Sequence, residues 1–437
     1  MKRSALLVLL LSCLAAVAVG AASERHVVLI SLDGLRPAFY LDEAWEAPNL
    51  RALLTAGAHA RAVEPVFPSV TYPNHASIAT GMRPVRHGIA FNMRFDPAGS
   101  PARWYAAADD LRATAIWDWA REAGLSTAAV SWPTTLGARI TSLVPEQDYF
   151  ARAAPLEPFL QASTPGLFER LHLAPRAGMF KDVVPWDAFL TETAAALICR
   201  ERPRLLLLHL LELDFRQHRG GPEGAGVRDA LRRVDAHVGT ILAALRGAGI
   251  ADRTAVIVTG DHGFEPIAGL VFPNAVLARA GLRACPGPGA DWRATVHVTG
   301  TVGALFVNPP GDPDVVAAAE AALRAAAAGR YELISREDLD RAGAFPNATA
   351  FALEAAPGYG MSGACDRGVT GSANGGGHGA RPSRPAMATG FIASGRGVRR
   401  GVALERMRLI DVAPTAARLL GLTPPRVEGR VLDEILE

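Results

Sequence analysis

The stretch His-Val-Val-Leu-Ile-Ser-Leu-Asp-Gly, residues 26–34, decides how the rest of the chain reads. Its apolar core is a short, β-branched and aliphatic run bounded by Asp-Gly, the pattern of a strand buried on both faces that ends in a turn. The same pattern returns downstream. Helical sequence over Asp109 to Gly124 leads into Ser126 to Trp132, and helical sequence over Asp187 to Glu201 leads into an apolar run from Arg204 to Asp214. A long helical stretch, Val227 to Gly249, precedes Thr254 to Gly263. Buried strands alternating with amphipathic helices predict an α/β fold: a mostly parallel central sheet with helices on both faces.

The 437 residues suit a single domain spanning 23–437 and carrying two insertions. One, about 136–186, is rich in proline and is expected to form a cap. The other, about 264–372, reads as a smaller α/β unit: Ala294 to Gly300, Ala304 to Asn308, an alanine-rich helix from Asp312 to Ala328, Tyr331 to Ser335 and Phe351 to Ala356. A formal charge of +2 gives no electrostatic case for a nucleic-acid polymer or an anionic membrane as partner. Lys2 and Arg3, the apolar run Ala5 to Val19 and the small residues Gly20, Ala21 and Ala22 have the form of a cleaved secretory signal over 1–22. The run is short of the roughly 20 residues a membrane span needs, and the setting of Cys13 fits a lipoprotein signal poorly. The mature chain is expected in the periplasm or outside the cell, with no transmembrane segment. Cleavage leaves Cys199, Cys285 and Cys365. Cys285 and Cys365 lie in loop-like sequence and are expected to pair, while Cys199 is expected in a helix and buried.

In open α/β sheets, sites form at the carboxyl ends of strands. Here those ends carry Asp33, Asp214 and Asp261, and three carboxylates on one rim repel unless cations neutralise them. Asp214 and His218 share a face if their segment is helical. His262 adjoins Asp261, and His378 lies in a glycine-rich stretch that lets backbone approach closely. Carboxylate oxygen with imidazole nitrogen suits zinc better than calcium or magnesium. Six such residues can make two three-ligand sites, and paired metals serve phosphoryl chemistry. Thr71, in Ser69-Val70-Thr71-Tyr72-Pro73-Asn74-His75, lies beside a helix start signalled by Pro73, where free N–H groups and the helix dipole favour an oxyanion. On its own Thr71 reads as a cap or first-turn residue; near a cation it becomes a candidate nucleophile.

Taken in order, LISLDGLR, PSVTYPNHASIATGMRPVRHGIAFN, LELDFRQHRGGP, VTGDHGF and GGHGARP, with LIDVAPTAARLLGL near the C-terminus, resemble the nucleotide pyrophosphatase/phosphodiesterase family of the alkaline phosphatase superfamily. The resemblance implies an alkaline phosphatase-like fold and two Zn2+ ions. Asp214, His218 and His378 would hold one, and Asp33, Asp261 and His262 the other, with the Thr71 oxygen as a further ligand of that second ion. It further implies attack by Thr71 to form a covalent phospho-threonine intermediate on a small phosphodiester or pyrophosphate of nucleotide type. Asn92 and the Tyr72 N–H would donate to a non-bridging oxygen. The Tyr72 ring would line the leaving-group pocket or pack in the core. The chain departs from the family at Ala380-Arg381-Pro382, at Leu213 and at His209, a position near the leaving group that is often aromatic and is counted here as substrate-binding. A phosphonoacetate-type hydrolase or a phosphomonoesterase on the same scaffold is the alternative reading. A binding protein without catalysis is the alternative from another class, and the intact Thr71 argues against it.

Overall fold

The computed structural model describes residues 24–98, 103–146, 155–285, 291–345 and 349–437. The expected signal segment and Cys13 lie outside these residues. Six strands enter first: β1 (His26–Leu32), β2 (Gly57–Glu64), β3 (Thr127–Trp132), β4 (Ser142–Pro145), β5 (Leu205–Leu210) and β6 (Thr254–Thr259). An excursion follows through β7 (Glu265–Val271), β8 (Ala294–Thr299), β9 (Val302–Val307), β10 (Tyr331–Ile334), β11 (Ala352–Ala355), β12 (Gly358–Met361) and β13 (Thr370–Gly377). The chain then returns in β14 (Thr389–Gly395), β15 (Val402–Leu404) and β16 (Met407–Arg408).

The main sheet runs β15-β2-β14-β6-β1-β5-β3-β4, with β16 also paired to β2. Its pairings are parallel except those of β14, which is antiparallel to both β2 and β6. Central strands reveal why their sequences are continuously apolar. Val28, Ile30 and Leu32 of β1 and Leu206, Leu208 and Leu210 of β5 face one core, while Val27 and Leu29, Leu205 and Leu207 face the other. Each such side chain contributes about 1.5–3 kcal/mol on burial. Helices Val183–Arg200 and Ala225–Gly247 cover the first core; helices Ile116–Glu122 and Val412–Leu419 cover the second.

Several boundaries differ from the sequence reading for identifiable reasons. The run expected as a strand through Asp214 ends at Leu210, because the Asp187 carboxylate accepts from Leu211 N (3.0 Å) and Glu212 N (2.9 Å) and caps a helix, Glu212–Gly220. The helix expected from Asp109 begins at Ile116, where Asp118 Oδ2 accepts from Ala115 N at 3.0 Å. The stretch 136–186 supplies β4 to the main sheet, and its Phe159, Phe168 and Trp186 join the first core. The glycine-rich segment before His378 is largely strand β13, antiparallel to β7. β8–β11 form the smaller sheet, in the order β10-β11-β9-β8. No helix among the described residues is long and apolar enough to cross a membrane.

Cys285 and Cys365 form the expected disulfide, 80 residues apart in sequence. Cys199, expected buried, is free and exposed: it falls in the last turn of its helix, beyond the buried Leu197 and Ile198. The long loop closed by the disulfide makes its removal costly. Cys365→Ser is expected to lower the unfolding free energy by about 4 kcal/mol on the chain-entropy argument, read as a lower urea midpoint that dithiothreitol reproduces in the wild type.

Candidate metal and nucleophile site

The site lies where β1, β5 and β6 end. Asp33 follows β1, Asp261 follows β6, and Asp214 sits in the first turn of helix Glu212–Gly220. Two groups form, each with its ligand-type atoms within 4.8 Å of one another: Asp214, His218 and His378, and Asp33, Asp261 and His262. The helical turn after β5 brings His218 Nε2 to 3.3 Å from Asp214 Oδ1, as the i, i+4 spacing requires. His378 Nε2 lies 3.1 Å from His218 Nε2 and 3.5 Å from the same aspartate oxygen. In the second group His262 Nε2 is 3.3 Å from Asp33 Oδ1 and 3.2 Å from Asp261 Oδ2. The rings of His262 and His378 stack with centroids 3.5 Å apart, so the groups are adjacent.

The tautomers follow from the outer nitrogens. His378 Nδ1 meets the Ser69 carbonyl (3.0 Å), His218 Nδ1 the Gly376 carbonyl (3.1 Å) and His262 Nδ1 the Gly263 carbonyl (3.3 Å). A carbonyl only accepts, so each Nδ1 carries hydrogen and each Nε2 presents a lone pair inward. Asp33 Oδ1, Asp214 Oδ1 and Asp261 Oδ2 are buried without a hydrogen-bond partner. Unsatisfied carboxylate oxygens converging with imidazole lone pairs are a donor set for cations, and mixed N/O donors fit zinc.

The electrostatics show the same deficit of positive charge. Burial first, then the Asp214 charge, raises Asp33 to about 7, against the opposing pull of His209. Burial and the neighbouring Asp33 push Asp261 well above the usual carboxylate range. Burial and then His218 hold His378 at about 4, and burial and then His378 depress His262 strongly. Burial opposes charge on His218 too, but Asp214 outweighs it and raises that imidazole.

Thr71 opens helix Thr71–Thr80, whose residues are all buried. Val70 holds the cap position, and no side chain caps the helix. The Thr71 hydroxyl is turned away from a capping role, with Oγ1 3.4 Å from His262 Nε2. Its backbone N–H, first in the helix, has no intrahelical acceptor. Asn74 pins the entry, accepting from Val66 N (2.8 Å) and donating to Val70 O (3.0 Å). Ser69 ties it to the His378 loop through Ala380 O, 2.8 Å from its Oγ.

The structure bears on three residues expected on the substrate side. Asn92 Oδ1 accepts from Tyr72 N at 2.9 Å, so that N–H is engaged with protein, and Nδ2 is the end of the Asn92 amide that can donate. The Tyr72 ring is 1% exposed, 5.2 Å from Trp104 and clustered with Ala76 and Ile89, as the packing role of the two expected for it requires. His209 is fully buried between Asp33 and Glu146, which removes it from substrate contact.

Gly375 supports the site in a way its surrounding sequence does not announce. At φ +147° its missing Cβ would lie 2.1 Å from the His218 carbonyl. Gly375→Ala is expected to cost about 2 kcal/mol of stability and to displace His218, lowering bound zinc per chain when measured by elemental analysis.

Residues 27–375 match the type I phosphodiesterase/nucleotide pyrophosphatase family. Among curated proteins, venom phosphodiesterase 2 of Crotalus adamanteus is 28% identical over 259 residues, covering 56% of this chain and 27% of the venom protein. The Homo sapiens ectonucleotide pyrophosphatase/phosphodiesterase family member 1 is 28% identical over 249 residues, 54% of this chain and 23% of its own. The chain thus spans about a quarter of the length of the curated relatives it matches. Human ectonucleotide pyrophosphatase/phosphodiesterase 5 superposes with a TM-score of 0.72 at 21% identity, over 94% of this chain and 100% of the other. The murine protein, as an inactive threonine-to-alanine variant in complex with AMP, gives 0.71 at 20% identity over 95% and 100%.

Proposed function

Because the chain belongs to the type I phosphodiesterase/nucleotide pyrophosphatase family, we propose that it is an exported, zinc-dependent hydrolase of small phosphodiesters or pyrophosphates, with nucleotide-type substrates, and that Thr71 is its nucleophile. The observation that carries the reading is the Thr71 hydroxyl held 3.4 Å from His262 Nε2, beside two adjacent ligand groups with unsatisfied carboxylate oxygens. Export is supported by the Cys285–Cys365 disulfide, a bond that persists in oxidising compartments. The nucleotide preference is supported by the AMP complex of the murine relative.

Asp214, His218 and His378 would hold one zinc ion, and Asp33, Asp261 and His262 the other. Bound there, the pair supplies positive charge that lowers the pKa of a hydroxyl and offsets charge on the phosphoryl oxygens. Thr71 Oγ1 attacks phosphorus as its proton leaves, and the bond from phosphorus to the leaving oxygen breaks. The phosphoryl group is then an ester of Thr71. Water attacks the same phosphorus, the Thr71 ester bond breaks, and the threonine oxygen regains a proton. The Asn92 Nδ2 and Thr71 N–H groups donate to the non-bridging oxygens, where charge is concentrated in both steps.

A comparison of substrates on zinc-loaded protein tests this. An aryl phosphodiester or a nucleotide pyrophosphate should be hydrolysed with the highest kcat/KM. Preference for the matching aryl monoester or for phosphonoacetate would assign the scaffold to the alternative activities. No turnover of any of them would favour a binding role.

A further inference from the structure

Behind Asp33 stands a line of buried polar groups with no part in the reaction as described. His209 lies on β5, in register with Ser31 of β1, and is fully buried. Its Nε2 is 3.1 Å from Asp33 Oδ2. Its Nδ1 is 2.6 Å from Glu146 Oε2, a contact that requires a hydrogen between the two atoms. Glu146, just past β4 and 8% exposed, also accepts from Ser131 Oγ at 3.3 Å. The His75 ring, 4.2 Å from that of His209, packs against it from the helix that carries Thr71.

The two oxygens of Asp33 therefore have different surroundings. Oδ2 is held by His209, while Oδ1 faces His262 Nε2 at 3.3 Å and has no hydrogen-bond partner. A carboxylate tethered by one oxygen cannot rotate freely about its Cβ–Cγ bond, so the other oxygen stays aimed. We infer that His209, itself fixed by Glu146, is a positioning residue that aims Asp33 Oδ1 at the cation held with Asp261 and His262. The inference rests on the reading of that group as a metal site. It gives a purpose to a polar side chain that is fully buried and out of reach of a substrate. A phenylalanine ring could fill much of the same space, but it has no hydrogen to donate to Asp33. Glu146 makes its described hydrogen bonds to His209 and Ser131, and its charge also acts on Asp33. Alanine and glutamine at position 146 both remove that charge, so the difference between them isolates the hydrogen bond to His209.

The test is zinc binding by chelator-stripped protein, measured by competition with a chromophoric chelator, with the apo unfolding temperature recorded for each variant. Wild type should bind two ions. His209→Phe and Glu146→Ala should each weaken one site by about 10–100-fold and leave the other unchanged, the usual cost of losing an outer hydrogen-bond partner. Glu146→Gln, which can still accept from His209, should recover part of the loss. His218→Ala, a lesion in the other group, should weaken the other site. Folded His209→Phe and Glu146→Ala proteins that bind both ions with wild-type affinity would overturn the inference. If His209→Phe does not fold, the contrast between Glu146→Ala and Glu146→Gln decides. A wild type that takes up no zinc would instead defeat the metal reading itself, and the positioning role with it.

Discussion

Replacing Thr71 by alanine is expected to reduce kcat for an aryl phosphodiester by at least about 1,000-fold, since removal of a covalent nucleophile costs from thousands to about a million-fold in comparable hydrolases. The loss should be confined to chemistry. Thr71 is 9% exposed, its side chain caps nothing, and helix Thr71–Thr80 is anchored by Ser69 and Asn74. The variant should therefore keep its fold, its circular dichroism and any metal held by the six ligand-type residues. Thr71→Ser, which retains a hydroxyl, should keep far more activity than alanine. A Thr71→Ala protein that still hydrolysed the diester at the wild-type rate would exclude the covalent route. One that lost activity together with its metals would reduce Thr71 to a ligand.

Removal of zinc should be as damaging. Chelation followed by dialysis is expected to leave less than about 1% of the activity, and added Zn2+ should restore it. The structural reason is the surplus of inward-facing acceptors. Asp33 Oδ1, Asp214 Oδ1 and Asp261 Oδ2 are buried without partners, and the apo site compensates by holding Asp33 at about 7 and Asp261 well above the usual carboxylate range. Bound cations would replace those protons. Binding to the folded state alone should also raise stability, by about 2.7 kcal/mol at a free zinc concentration a hundredfold above Kd. The check is a pair of melting curves, with and without zinc, run beside the activity assay. Unchanged activity in protein shown by elemental analysis to contain no metal would contradict the account.

The parts of this molecule that were legible in its sequence are those where one residue type has one physical meaning. Short continuous apolar runs bounded by turn residues, such as Val27 to Ile30 and Leu205 to Leu208, read as strands with both faces covered, as they are. Acids at the ends of such runs share one rim by topology, so Asp33, Asp214 and Asp261 could be named together. What the sequence did not disclose depends on partners far away in the chain. The end of β5 is set by Asp187, whose carboxylate meets Leu211 and Glu212 across a helix–strand junction. The strand character of Thr370–Gly377 comes from β7, not from its own glycines, which propensity alone assigns to a loop. Tyr72 follows the nucleophile candidate, yet its ring packs with Ala76, Ile89 and Trp104, the last 32 residues further along the chain. His209 looked like a substrate contact because it lies near Asp214 in sequence. Strand alternation and Glu146, 63 residues earlier, turn it to the back of Asp33 instead.

The central claim is a double displacement at phosphorus through Thr71, and its most direct test is the stereochemical course of hydrolysis. A phosphorothioate diester of defined configuration, cleaved in isotopically labelled water, reports the number of in-line steps. Two displacements, each inverting the centre, give net retention, which is the result predicted here. Net inversion would mean a single attack by water, and it would contradict Thr71 as the nucleophile.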